Sequence, residues 1–279
     1  MLIDTIEEIC GGFNGRIGLI THNLQTGEEF AYNADDTFPA ASTVKLPLLA
    51  ALMQQVIDGE YSLDDPLMLR RADIVGGSGV TQFLTPGLTM PICDWAFLMM
   101  SVSDNTATNI LIDQVGLDNV AGWLEAHNFP GIALRHKIDF AVLDQDVNHL
   151  GTATPRGLNR LLTAVFRQTI LTPAACAEML RMMNKVGADR IGRYLPWEPY
   201  GDEPPEEEKL HLAGKTGSLK GCRAQTAVIW RGADKTQHGF SITVMTDGNQ
   251  TPETWSVDAA GVLVIGRIAR AVYDEVMGE

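Results

Sequence analysis

The sequence has few of the features that mark membrane-bound or nucleic-acid-binding proteins. None of its apolar runs approaches the roughly 18 residues that a membrane-spanning helix needs. Lysine and arginine total only 21 of the 279 residues, against 35 aspartates and glutamates, which gives a formal net charge of −14 at pH 7. A surface of this sign repels phosphate backbones and anionic lipid headgroups. The composition therefore argues against nucleic-acid and membrane partners, and we expect a monomer that acts on a small molecule.

Cysteine and histidine are scarce and widely spaced. The four cysteines, Cys10, Cys93, Cys176 and Cys222, form no Cys-x-x-Cys pair, so we predict free and mostly buried thiols, while the sequence alone leaves a disulfide open. The six histidines form no His-x-x-x-His pair, and we expect no metal site. The N-terminus is acidic where a signal peptide is basic and then apolar, so we expect a cytoplasmic protein unless a leader has been removed.

Hydrophobic patterning divides the chain into three parts. Residues 2–13 carry the apolar stripe of an amphipathic helix, and residues 16–32 have the pattern of a strand and its hairpin partner. From about residue 40 to 190, apolar residues recur at three- and four-residue steps, which predicts helices. Strand patterns resume at 209–216, 223–231 and 239–247, and Thr251-Pro252-Glu253 predicts the start of a terminal helix.

This order predicts an α+β fold, an α/β/α sandwich. One antiparallel sheet is built from both ends of the chain and flanked by the terminal helices, and an all-helical lobe is inserted between them. We expect a single catalytic domain over residues 1–279. Its α/β subdomain covers about 1–40 and 205–279, and its helical subdomain about 41–204. The acidic, proline-rich stretch 196–208 predicts a solvated connection.

Ser42 is the only one of the eight serines that has a lysine three residues later, Lys45. If a helix begins near Ala41, the two side chains lie one turn apart on the same face. A serine hydroxyl is a poor nucleophile until a neighbouring base takes its proton, and a desolvated lysine amine can become neutral enough to do so. The alternative is a helix cap followed by a surface lysine.

Two further motifs carry polar side chains suited to a reaction site. Ser103-Asp104-Asn105 precedes a predicted helix, where Ser103 could relay a proton to a leaving group and Asn105 could bind a substrate amide. The alternative is a cluster that caps the helix.

The second of these motifs, Lys215-Thr216-Gly217-Ser218, lies on a predicted strand. Lys215 would supply positive charge, Thr216 and Ser218 would offer hydroxyls to a carboxylate, and Gly217 would admit the substrate backbone. The alternative is an edge strand followed by a turn.

Taken together, Ser-x-x-Lys, Ser-Asp-Asn and Lys-Thr-Gly in this order resemble class A serine β-lactamases and penicillin-binding proteins. The resemblance extends over nearly the whole chain and implies a β-lactamase/transpeptidase-like fold with no cofactor. It implies that Ser42 is the acylated nucleophile, Lys45 its activating amine and Ser103 the proton relay. It further implies that the backbone N–H groups of Ser42 and Ser218 form the oxyanion hole.

The resemblance also implies a set of substrate-binding residues. Asn105 matches the ligand of the substrate's amide, and Lys215, Thr216 and Ser218 match the carboxylate-binding strand. Arg223, near the start of the next strand, matches an arginine that helps some family members to bind the carboxylate, although a surface charge is the alternative.

The sequence departs from the family pattern in the loop between the second and third motifs. Class A enzymes carry there a glutamate that drives deacylation through a water, followed four residues later by an asparagine. Residues 135–155 contain no glutamate, but Asp144 stands four residues before Asn148 and could take the glutamate's place. The alternative is a solvated loop aspartate.

These observations predict a serine hydrolase that opens β-lactam amides through an acyl-enzyme at Ser42, with slow deacylation. Two alternatives stay open. One is a D-Ala-D-Ala peptidase, amidase or esterase of the same fold. The other is a β-lactam-binding protein with little turnover.

Overall fold

The computed structural model describes residues 2–184, 189–196, 205–233, 238–249 and 255–278. The strands in this part of the chain are β1 Arg16–Asn23, β2 Glu29–Tyr32, β3 Phe38–Pro39, β4 Pro66–Met68, β5 Thr89–Pro91, β6 Ile132–Leu134, β7 Gly151–Ala153, β8 Leu210–Leu219, β9 Cys222–Arg231 and β10 Gly239–Asp247. The helices are α1 Leu2–Gly11, α2 Lys45–Ile57, α3 Ile92–Ser101, α4 Asn105–Val115, α5 Leu117–Ala126, α6 Phe140–Leu143, α7 Pro155–Phe166, α8 Pro173–Met183 and α9 Ala260–Met277.

The main sheet is antiparallel and has the strand order β2-β1-β10-β9-β8, so both ends of the chain build it. Strand β1 pairs with β10 from Arg16 opposite Asp247 to Asn23 opposite Phe240. Strands β9 and β10 are buried almost throughout, because helices cover both faces of the sheet. This arrangement confirms the predicted α+β sandwich.

Two hydrophobic cores lie on opposite faces of the sheet. On one face, the terminal helices α1 and α9 bury Ile6, Ile265 and Tyr273 against Leu19 and Ile242. On the other face, α7 packs on β1, β9 and β10 and joins the sheet to the core of the helical lobe. The reaction site described below lies where this lobe meets strand β8.

The inserted lobe contains short strands as well as the predicted helices. Strands β3, β7 and β6 form a three-stranded sheet, and β4 pairs with β5. Elements of two or three residues show no measurable periodicity, which is why the sequence pattern did not reveal them.

The structure bears on the expectations for the cysteines, for membrane-spanning helices and for two segments late in the chain. All four cysteines are free thiols, and Cys10, Cys176 and Cys222 are buried. Among the described helices, none combines the length and the apolar character needed to cross a membrane. The predicted helix start at Thr251-Pro252-Glu253 and most of the acidic connection lie outside the described residues.

Gly214 shows how tightly β8 and β9 are packed. A Cβ atom built at Gly214 would lie 2.2 Å from the backbone oxygen of Thr226, whereas one built at Gly122, exposed within α5, would meet nothing within 4 Å. We expect Gly214→Ala to lower the free energy of unfolding by about 1–3 kcal/mol because the strands must separate. Gly122→Ala should raise it by roughly 0.5–1 kcal/mol, because alanine favours a helix. Urea unfolding of the two variants measures both changes.

The two substitutions add the same methyl group, so they control for each other. Equal effects of the same sign would show that the close contact at Gly214 does not constrain the sheet.

Candidate active site

Ser42 lies in a tight 3-10 turn, Ala41–Val44, that leads directly into α2. Ala41 has a φ of +48°, a conformation that a residue with a side chain adopts only when its surroundings enforce it. A Cβ at Gly217 would lie 3.0 Å from the Ala40 oxygen and 3.2 Å from the Ser42 nitrogen. Glycine at 217 therefore lets strand β8 approach the turn that bears Ser42. The sequence suggested that this glycine makes room for the substrate backbone, whereas in the structure it makes room for the Ser42 turn.

Lys45 begins α2, one turn after Ser42, and its side chain is fully buried. Its Nζ donates to the Ser103 carbonyl oxygen at 2.8 Å, to Ser103 Oγ at 3.0 Å and to Asn105 Oδ1 at 3.0 Å. The first two motifs, about 60 residues apart in the chain, are thus joined through one amine.

Burial lowers the pKa of Lys45 well below its ordinary value of 10.5, and the nearby charge of Lys215 lowers it further, while Asp104 opposes both. A neutral amine has two N–H donors and one lone pair. The Ser103 carbonyl and Asn105 Oδ1 can only accept, so they take the two N–H groups. The third contact, Ser103 Oγ, carries a hydrogen of its own and can donate to the lone pair. The charged amine could equally donate to all three oxygens, so these contacts fit both protonation states, and the lowered pKa shifts the balance toward the neutral one.

The loop that bears Ser103 is held in place by Asp104. The buried Asp104 carboxylate accepts from the backbone N–H groups of Val80 at 2.7 Å, Thr81 at 2.8 Å and Ala107 at 2.9 Å, so it caps α4 and also fixes the segment around Val80, which precedes α3 in the chain. Ser103 itself has a φ of +54°. Asp104 therefore acts as the helix cap that its sequence position suggested.

The segment fixed by Asp104 adds polar contacts that the sequence did not reveal. Ser78 Oγ donates to the Ser103 carbonyl oxygen at 2.8 Å, and Asn105 Nδ2 donates to the Gly76 oxygen at 3.0 Å. Since Asn105 Nδ2 carries two hydrogens, one remains for a substrate carbonyl.

Lys215 lies across the site on β8 and is also fully buried. Its Nζ donates to the Thr216 oxygen at 3.0 Å. Burial and the charge of Arg190 lower the pKa of Lys215 to about 7, while Asp189 opposes the change. The half-buried Thr216 and Ser218 side chains lie on the cavity wall.

The sequence analysis did not identify Arg190, which the structure places beside β8. This buried side chain donates to the oxygens of Gly217 at 2.7 Å and Ala224 at 2.8 Å, and to Ser218 Oγ at 2.6 Å. It belongs to no motif and lies 25 residues before Lys215. Only the tertiary fold brings it to β8, so no local pattern could have identified it.

Arg223 lies outside the cavity lining in the described part of the chain. Its Nη1 donates to the oxygens of Leu219 at 2.9 Å and Cys222 at 2.7 Å, which stabilises the turn between β8 and β9. Its guanidinium also lies 5.0 Å from the ring centre of Trp255, which does line the cavity.

The polar residues surround a cavity of about 550 Å³. The motif residues Ser42, Ser103, Asn105, Thr216 and Ser218 all line this cavity. The same cavity also has an apolar part of its lining, formed by Ile138, Phe140, Leu143 and Leu150, which we call the apolar wall.

The structure does not bring Asp144 to the cavity. Asp144 ends the short helix α6 with its side chain exposed, while its neighbour Leu143 is buried and lines the wall. The four-residue spacing to Asn148 gave no information about which way an irregular loop turns its side chains. The placement therefore does not support the hypothesis that Asp144 replaces the glutamate.

The fold and the serine–lysine centre are those of the β-lactamase/transpeptidase-like class of serine enzymes. The profile of the Beta-lactamase enzyme family matches residues 1–276, and the chain belongs to that family.

Three relatives illustrate the similarity. The chain is 33% identical to β-lactamase CARB-3 of Pseudomonas aeruginosa over 278 residues, which cover 96% of this chain and 88% of the relative. The solved β-lactamase of Sphaerobacter thermophilus superposes with a TM-score of 0.84 at 31% identity, covering 100% of this chain and 97% of the other. PBP-A, of which a mutant was solved as an acyl-enzyme complex with penicillin G, has a TM-score of 0.82 at 23% identity, covering 100% and 96%, and shows the shared fold alone.

Proposed function

We propose that this protein is a serine hydrolase that opens β-lactam amides through an acyl-enzyme at Ser42. The observation that carries the proposal is the buried Lys45 amine, one turn after Ser42 and hydrogen-bonded to Ser103 and Asn105. Family membership and the β-lactamase names of the relatives support the substrate class.

In the acylation step, neutral Lys45 takes the proton of the Ser42 hydroxyl as Ser42 Oγ attacks the amide carbonyl. Ser103, in contact with Lys45 Nζ, then passes its hydroxyl proton to the departing amide nitrogen and takes in its place the proton that Lys45 received, which leaves Lys45 neutral again. The backbone N–H groups of Ser42 and Ser218 stabilise the developing oxyanion, where each donor is typically worth about 2.7–4 kcal/mol. The close approach of Gly217 to the Ser42 turn supports this pairing of donors.

The carboxylate of the substrate is bound on the β8 side. Lys215 and Arg190 supply positive charge, and Thr216 and Ser218 supply hydroxyls. Asn105 binds the amide of the acyl side chain. In a chain of net charge −14, Arg190 and the charged form of Lys215 provide local attraction for an anionic substrate.

Deacylation lacks an evident general base. Residues 135–155 contain no glutamate, Asp144 is exposed, and the loop turns its apolar wall toward the cavity. A general base usually contributes about 10²–10⁴-fold to a rate, so hydrolysis of the acyl-enzyme should be slow. Lys45 remains as a base for the second step once it has returned to its neutral form.

The apolar wall also favours a second candidate function, a β-lactam-binding protein with little turnover. This candidate shares the acylation step and differs only in the lifetime of the adduct. A D-Ala-D-Ala peptidase, amidase or esterase of the same fold is a further alternative, distinguished by cleavage of a peptide or simple ester rather than a β-lactam.

We expect a burst of product about equal to the enzyme concentration when the protein meets a chromogenic cephalosporin, followed by a slow steady state. In a separate sample exposed to a penicillin, intact mass spectrometry should show an adduct with the mass of the whole β-lactam, since opening the ring of a penicillin releases no fragment. Ser42→Ala should remain folded and form no adduct. Rapid turnover without a burst or a trapped adduct would contradict slow deacylation.

Asp144→Asn tests, in the same assay, the loop carboxylate that the spacing to Asn148 singled out. Because Asp144 is exposed outside the cavity, we expect the adduct lifetime to stay within about twofold of the wild-type value. A lifetime lengthened by the roughly 10²–10⁴-fold typical of a lost general base would identify Asp144 as that base.

The two arginines give a separate prediction about carboxylate binding. Arg190 contacts Ser218 within the cavity, whereas Arg223 contacts the turn carbonyls. A charged hydrogen bond contributes about 1.5–3 kcal/mol, or roughly 10- to 150-fold. Arg190→Ala should therefore slow acylation by a penicillin by that factor and acylation by its neutral methyl ester much less.

Arg223→Ala serves as the comparison in the same measurement. If Arg223 only supports the turn, it should slow both substrates by a similar factor. A selective loss for the carboxylate in Arg223→Ala, with none in Arg190→Ala, would assign carboxylate binding to Arg223 as the sequence suggested.

A further inference from the structure

We propose that a second cavity of the protein binds a small organic anion that carries carboxylate or phosphate groups. This second cavity has a volume of about 480 Å³, within the usual size range of small-molecule sites. Strands β1 and β2, the residues that follow α5, and α7 with the residues after it line the cavity. In the described part of the chain it shares no lining residue with the reaction cavity, so the site is independent of the chemistry at Ser42.

One face of α7 forms a wall of the second cavity. The residues of this face follow one another at steps of three, one and three, which places them on the same side of a helix: Arg160, Thr163, Ala164 and Arg167. Arg167 directly follows α7 and still has helical backbone angles. Seven residues of helical rise separate the two arginine Cα atoms by about 10 Å. Because the side chains of Thr163 and Ala164 between them are short, both guanidinium groups can approach one ligand placed over them.

The charges of these two arginines are not balanced by carboxylates. Within the described residues, neither Arg160 nor Arg167 forms an ion pair, although the chain has 35 acidic residues against 21 basic ones. Arg167 Nη2 donates instead to the Leu24 carbonyl oxygen at 3.2 Å. By contrast, Arg70 and Arg181 each lie 2.7 Å from a carboxylate oxygen. Two unbalanced positive charges on one wall favour an anion in the second cavity.

Negative charge around the second cavity does not cancel this attraction. Among the described residues, Glu29 is the acidic side chain of the lining, and its Oε1 accepts from Arg156 Nη1 at 2.7 Å. Its charge is therefore already compensated. The carbonyl end of α7 adds about half a negative charge, which Arg160 and Arg167 together outweigh. The cavity thus retains a net positive charge.

Hydrogen bonds to the main sheet hold this face of α7 in position. Asn159 is buried, lines the second cavity, and accepts through Oδ1 from Ser241 Oγ at 3.1 Å. Thr163 Oγ1 donates to the same Ser241 Oγ at 3.0 Å. Since Ser241 belongs to β10, these bonds tie the helix that bears the two arginines to the sheet. The wall is therefore a fixed part of the fold.

The remaining lining residues define the rest of the ligand. Ile20, Phe129 and Ile170 offer apolar contact, and His22 and His127 offer imidazole rings. Guanidinium groups bind carboxylates and phosphates through paired hydrogen bonds. A ligand with anionic groups on a compact carbon skeleton therefore matches the second cavity, whereas a neutral or cationic ligand would leave the two arginines unbalanced.

Isothermal titration calorimetry with citrate and with pyrophosphate tests the proposal. In about 0.15 M sodium chloride, which screens long-range attraction, we expect at least one probe to bind saturably. Tighter binding of citrate would identify carboxylates as the preferred groups, and tighter binding of pyrophosphate would identify phosphates. Arg160→Gln and Arg167→Gln should each raise the Kd roughly tenfold, because each removes a charged hydrogen bond. Ala164→Leu should raise it severalfold, because it keeps both charges and fills the space between them.

Arg71→Gln is the matched control, because in the described structure Arg71 is exposed and lines neither cavity. It should leave the Kd unchanged, and thermal unfolding establishes that each variant is folded. If neither probe binds saturably, or if the three α7 variants bind like the wild type, the proposal is wrong. Binding that is lost only in Arg190→Ala would place the anion in the reaction cavity and would likewise overturn the second site.

Discussion

The site depends on the burial of three basic side chains in one region of the fold. Lys45 and Lys215 are fully buried, and Arg190 is nearly so. Burial lowers the pKa of each, and a neighbouring charge lowers it further: that of Lys215 at Lys45, that of Arg190 at Lys215 and that of Arg223 at Arg190. Asp104 favours the charged form of Lys45, and Asp189 that of Lys215 and Arg190. The lowered pKa of Lys45 is therefore a consequence of packing, and the same packing gathers basic side chains beside the cavity.

The remaining structure holds these groups together against their repulsion. Gly217 allows β8 to contact the Ser42 turn, and Asp104 joins the Ser103 loop to α4 through backbone N–H groups. Arg190 fixes β8 through the Gly217 carbonyl and Ser218. Left-handed backbone at Ala41 and Ser103 adds local strain at the same place. Strain and buried charge concentrated at one site are typical of a functional centre, where stability is exchanged for reactivity.

Much of this arrangement could be predicted from sequence, because it depends on local patterns. Ser42 and Lys45 are one turn apart, Asp104 has a preferred capping side chain, and Lys215 to Ser218 lie on a strand with clear neighbours. The sheet from both chain ends followed from the order of strand and helix patterns. Arg190 could not be found in this way, because it acts through contacts with a distant segment. Asp144 was selected by spacing alone, and spacing does not determine which side of an irregular loop faces the cavity.

The central claim is that the surroundings of Lys45 lower its pKa well below the ordinary value and so favour the neutral amine. Heteronuclear NMR of the lysine Nζ groups, assigned with Lys45→Met, measures this directly. The account predicts that Lys45 titrates well below its ordinary pKa of 10.5 and that Lys215→Met, which removes a neighbouring positive charge, raises the value. Since a lysine is neutral above its pKa, Ser42 acylation should rise with pH through the same midpoint. A Lys45 that titrates near 10.5, or is indifferent to Lys215, would contradict the account.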